Sequence, residues 1–142
     1  MSQTDTFDGV PRWKRRTASG LLVLAALGAV LSFATAAASI RSTEADAAVA
    51  ATWQMFGFLV FAGLFVLLAY RPHQYPGVWE LVIFHKAATA LYLAIFASDA
   101  AGATVTVAVD AALTIALVVA YLLVRGYTSW DRLRRTTGTA HH

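Results

Sequence analysis

The sequence predicts an all-α membrane protein: a four-transmembrane-helix bundle, antiparallel and up-down-up-down, with both termini on the cytoplasmic side. Three observations predict it. Charged residues make up 13% of the 142-residue chain and hydrophobic residues 58%, whereas an ordinary water-soluble domain carries roughly 25% charge. Four apolar stretches approach or exceed the ~20 helical residues that cross a hydrocarbon layer of about 30 Å. Lysine and arginine outside those stretches gather almost wholly on one side of them.

Each element follows from its own residues. Residues 1–17 are a polar tail carrying Arg12, Lys14, Arg15 and Arg16. Residues 18–40 form the first span, unbroken by any charge. The basic run, the apolar stretch and the small residues from Ala34 to Ser39 also fit a signal peptide with an Ala-x-Ala cleavage site. The apolar stretch far exceeds a usual h-region of about 7–15 residues, so we read it as a retained helix. Residues 41–52 are an extracytoplasmic loop, and residues 53–70 a second span that can borrow residues 47–52 for length. Residues 71–77, with Pro72 and Pro76, make a tight cytoplasmic turn. The third span is 78–98, a short connection follows at 100–102, and the fourth span is 103–124. Val, Thr and Ile are frequent in the fourth, but a lone strand in lipid leaves its backbone polar groups unpaired, so helix prevails. Residues 125–142 are a second basic tail; the first ten or so residues and 136–142 read as disordered. His141 and His142 are assigned no role.

Of the 11 Lys and Arg residues, nine lie on the side of the tails and the 71–77 turn, Arg41 alone lies on the other, and Lys86 is inside a span. The positive side stays inside, which predicts a multi-pass protein of the cytoplasmic (plasma) membrane. Trp13, Trp53, Tyr70, Tyr75, Trp79, Tyr127 and Trp130 fall near span ends, where amphipathic rings prefer to sit. The net charge of +3 is thus a matter of topology, and the lipid bilayer is the expected partner. Nucleic-acid binding would need a basic soluble module, and neither tail is long enough to form one. With no cysteine, disulfides, thiolate metal sites and dithiol redox chemistry are excluded. No cofactor, metal or catalytic motif is legible.

Helices in lipid associate through close backbone approach and interhelical hydrogen bonds. Ala25, Ala29, Ser32 and Ala36 share one face of the first span with Ala18 and Ser39, a small-residue seam fit to pack against another helix. In the second span Gln54, Phe58, Phe61 and Phe65 share a face, read as lipid contact or bulk packing ahead of a ring-binding wall. A charge near a helix centre costs about 2.5–3.5 kcal/mol before pairing, so the ionisable groups of spans three and four are the candidate coupling residues. At 100° per residue His85, Thr89 and Tyr92 form one polar stripe, Asp110 and Thr114 another. If Asp99 and Ala103 are level, Tyr92 faces Asp110 at about 10 Å depth and the stripes line up as a polar ladder. Lys86 points about 100° away from His85, and Asp110 comes within its reach only if the two helices tilt. Glu80, beside Trp79, is expected to be solvated at the interface or favoured by the helix N-terminus. Asp110 reads equally well as a structural hydrogen-bonding group and as a proton- or ligand-binding carboxylate. His85 reads as a packed histidine ahead of a metal or haem ligand, since no second histidine lies within the spans.

These features order the function classes. First stands an accessory or scaffold protein that packs against itself or other membrane proteins, on the strength of the seam and the short loops. Second stands a proton- or ion-coupled small transporter, acting as an oligomer through Asp110, Lys86 and His85. A membrane enzyme acting on a lipidic substrate ranks last, because His85 and Asp110 are separated by about 10 Å in depth. In plan the chain resembles small bacterial tetraspan families, DoxX-like proteins among them; no motif singles out one, and no functional residue is carried over.

Overall fold

The computed structural model describes residues 9–138. It contains five α-helices: α1 (Arg12–Ser39), α2 (Ala48–Tyr70), α3 (Val78–Phe96), α4 (Ala103–Val124) and α5 (Ser129–Gly138), with single 3₁₀ turns at Ile40–Ser42 and Gly126–Thr128. The first four are long and apolar enough to cross a membrane. Helix α1 starts at Arg12, not at residue 18. Pro11 presets the entry and its carbonyl accepts from the Arg15 N–H, so the basic turn belongs to the helix and not to a tail. Helix α2 reaches back to Ala48, as the spare length before Trp53 allows. Helix α3 stops at Phe96, two residues short of the expected end, where the Ala97 N–H closes on Leu93. Gly77 and Gly102 precede α3 and α4 with φ of 87° and 79°, a left-handed backbone that suits residues lacking a Cβ. After α4, Arg125 takes the same region at φ 54° and turns the chain into α5. The tail expected to be disordered from 136 is helical to Gly138; residues 1–8 and 139–142 lie outside the described residues.

Helix α1 packs against both α2 and α4, α4 packs against α3, and α2 touches α3 at few places. The buried core lies in one half of this arrangement. It joins Ala18, Leu22 and Ala26 of α1 to Phe65 and Leu68 of α2, Trp79 and Val82 of α3, and Leu117, Ala120 and Val124 of α4. Trp79 is wholly enclosed and donates from Nε1 to the Pro72 carbonyl at 2.8 Å; it is a core residue, not the interfacial ring expected from its place at a span end. Large side chains such as Leu24, Leu31, Phe84 and Ile115 point outward, as lipid-facing residues do. The small-residue seam is used within the chain: Ala25 and Ala29 pack on the core, while Ser32 and Ala36 are half-buried beyond it. The enclosed line is Ala18–Leu22–Ala26, one residue round from part of that seam and not wholly small.

Gly126 is where two rings need the space of a missing side chain. A Cβ there would run into the Tyr121 ring edge and come within 3.1 Å of Trp79 Cδ1, whereas a Cβ on Gly20 meets nothing within 4 Å. Gly126→Ala should therefore cost about 1–3 kcal/mol by overpacking. Gly20→Ala should be neutral or stabilising. Thermal unfolding of the detergent-purified variants, followed by tryptophan fluorescence, separates the two.

Candidate functional site

Two polar clusters sit among the helices. The first binds α5 to the bundle. Glu80 Oε1 accepts from Tyr121 Oη at 2.8 Å and from Trp130 Nε1 at 3.0 Å. Glu80 Oε2 is enclosed without a hydrogen-bond partner among the described residues. His73 Nε2 hydrogen-bonds the Val124 carbonyl, and the Trp130 ring lies 3.6 Å from where a Gly77 Cβ would stand. Glu80 is thus a clasp between α3, α4 and α5: it stands in the first turn of α3, where a helix N-terminus favours a carboxylate, but Oε1 is taken by two ring donors and is not simply solvated. The sequence pairs Trp130 with membrane–water interfaces in general; nothing in its spacing identifies a carboxylate 50 residues earlier as its partner.

The second cluster is at mid-helix. Lys86 Nζ donates to Asp110 Oδ1 at 2.9 Å, with the two side chains 9% and 7% exposed. The same ammonium lies 4.4 Å from the centroid of the Phe61 ring, a cation–π contact that shares the charge with α2. His85 rests against the other part of this wall, its ring centroid 4.7 Å from that of Phe61. The pair exists because both residues occupy buried helix faces. In α3 the enclosed positions are Trp79, Val82, Lys86 and Ala90; in α4 they include Ala103, Asp110, Leu117 and Val124, seven apart. Each charge replaces one member of an apolar stripe that faces the neighbouring helix.

That face assignment overturns the aligned polar ladder. Tyr92 is exposed and stacks on Phe96 at 5.2 Å; it does not meet Asp110. Thr89 Oγ1 donates to the His85 carbonyl at 2.8 Å and Thr114 Oγ1 to the Asp110 carbonyl at 2.7 Å, so each hydroxyl is satisfied within its own helix. Asp99 and the start of α4 are not the two level ends of the hairpin, because α3 stops short of Asp99. Helix α3 ends at Phe96, so Lys86 lies ten residues, about 15 Å, from that end and Asp110 about 10 Å from the start of α4. The four-carbon lysine stem spans the remaining difference.

Beyond the pair the four helices border a half-open cavity of about 350 Å³. Its walls come from the half of each helix that the core does not use: Ser32 of α1; Trp53, Gln54, Phe58 and Phe61 of α2; His85, Lys86 and Thr89 of α3; Thr106, Val109 and Asp110 of α4. The Gln54–Phe58–Phe61 face of α2 is therefore a cavity wall. Size and lining match a site for a compact molecule with an apolar body and one polar group. No group of three or more metal-ligating side chains occurs among the described residues. Thr114, in the other half, does not line this cavity. Compared with known protein families, curated proteins and solved structures, the chain matches none.

Removing one member of the pair leaves an uncompensated charge at mid-helix, a cost of about 2.5–3.5 kcal/mol. Lys86→Met and Asp110→Asn should each lower the unfolding temperature. The double variant should lose less than the sum of the two, because it leaves no charge behind. Additive losses would show that the two side chains do not interact.

Proposed function

We propose that this chain is a proton-coupled carrier of a small solute. It acts as a homo-oligomeric, multi-pass protein of the cytoplasmic membrane, its helices running up-down-up-down with both termini inside. One observation carries this reading: a buried Lys86–Asp110 pair at mid-helix forms part of the wall of a cavity that all four long helices line. A buried ion pair is seldom more stabilising than well-packed apolar residues of the same volume. Where it borders a cavity inside an apolar bundle, its natural use is to open and re-form around a solute. Protonation of Asp110 supplies the opening event, since it removes the charge that holds the ammonium.

The other classes draw less support. The seam that favoured a scaffold has Ala25 and Ala29 packed against this chain's own core. A lipid-directed enzyme would use His85 and Asp110 as acid–base partners, but His85 lies against Phe61 and Asp110 is held by Lys86. Orientation rests on the basic residues: the start of α1, the 71–77 turn, the end of α4 and α5 carry all of them but Arg41 and Lys86, and the basic end is the inner one. The pocket that the four helices line is no full pathway across the membrane, so a second copy supplies the remaining wall.

In liposomes holding a trapped pH dye, wild-type protein should collapse an imposed pH gradient when a panel of small charged solutes is added. Asp110→Asn, checked for an unchanged gel-filtration profile, should run at the protein-free rate. Equal rates for wild type and Asp110→Asn, or no wild-type flux with any solute, would contradict the reading.

A further inference from the structure

The charge balance of the cavity selects its ligand. Among the residues that line it, the titratable ones are His85, Lys86 and Asp110, all on α3 and α4; α1 and α2 contribute uncharged side chains. With Lys86 protonated and Asp110 ionised the pair is neutral. A cation would have to settle on Asp110, but the Lys86 ammonium already fills that place, 2.9 Å from the carboxylate and against the Phe61 ring. An added cation would keep the site neutral only if Lys86 gave up its proton, and the ammonium would then lose both its carboxylate and its contact with the Phe61 ring. An anion meets the opposite situation. Its oxygens can take the ammonium once Asp110 has accepted one proton, and the site stays neutral throughout.

Resting on the carrier reading, we infer that the solute is a small organic monoanion with an aromatic or branched apolar body, bound with one proton in an electroneutral one-to-one ratio. Lys86 holds the anionic group, Asp110 takes the proton from the aqueous phase, and Trp53, Phe58, Phe61 and Val109 flank the apolar part. The bound state is an ammonium–anion pair beside a neutral carboxylic acid. Gln54, on the α2 wall, can donate from its side-chain amide to the second oxygen of the anion.

Benzenesulfonate is the probe, because its acid does not form near neutral pH and passive leak is low. Calorimetry of the detergent-purified protein, repeated in buffers of different ionisation enthalpy, should show one proton taken up per anion bound. Lys86→Met should weaken binding at least tenfold and Lys86→Arg should restore it. Asp110→Asn should bind the anion at least as tightly with no proton uptake, a result that a merely structural aspartate would not produce. In proteoliposomes, labelled benzenesulfonate uptake should follow an inward proton gradient and ignore a potassium diffusion potential. Proton-linked binding without uptake would overturn the carrier reading and leave the ligand class standing. Uptake of benzyltrimethylammonium in place of benzenesulfonate would overturn the ligand class and leave the carrier reading standing. Failure of both probes to bind would overturn the proposal.

Discussion

The Lys86–Asp110 ion pair is the constraint around which the rest of the molecule is arranged. Each charge alone would be costly at the middle of an apolar helix. Together they fix the rotation of α3 and its register along α4, because a 2.9 Å contact tolerates neither a slip of one turn nor a rotation of one residue. Phe61 of α2 lies over the same ammonium, so α2, which otherwise touches α3 little, is tied to the hairpin at this point. Specification of register is the best-attested use of a buried polar contact, and here it coincides with the border of the cavity.

The bundle divides its labour between two halves. One is closed by Trp79, Phe65, Leu22 and Leu117 and held shut at its end by Glu80, Tyr121 and Trp130. The other is left with space, bounded by aromatic rings and a few polar groups. The closed half gives the helices a fixed frame, and Ser19 Oγ donating to the Ala69 carbonyl at 3.3 Å adds a link between α1 and α2 there. The ion pair marks the boundary: below it packing is dense, and above it the helices part enough to admit a small molecule.

Much of this architecture was legible from composition and spacing. The four spans follow from apolar runs, and α4 begins and ends where its glycine and basic flanks place it. The first helix was cut short because Arg12–Arg16 reads as a tail when charge is taken to end a span; an arginine is a good helix former and extends the helix past the apolar core. The site was only partly legible. Lys86, Asp110 and His85 stand out by the cost of an ionisable group inside a span and Thr89 by its place on the His85 stripe, and all four line the cavity. Their grouping does not follow from matching polar residues to polar residues. Packing instead follows whole helix faces, and Lys86 belongs with Trp79, Val82 and Ala90. The seven-residue spacing of Ala103, Asp110, Leu117 and Val124 was the signal that marks Asp110 as interface-facing. Tyr92 is a case of the same kind: a phenol reads as a partner for a carboxylate, but the rotation of α3 turns it to the outside.

The decisive measurement is the distance between Lys86 and Asp110 in a bilayer. Solid-state NMR recoupling between lysine ¹⁵Nζ and aspartate ¹³Cγ, assigned with the Asp110→Asn variant, reports it in lipid. The account predicts strong dephasing from a separation within about 4 Å. No measurable coupling between the two nuclei in the folded wild-type protein would contradict it.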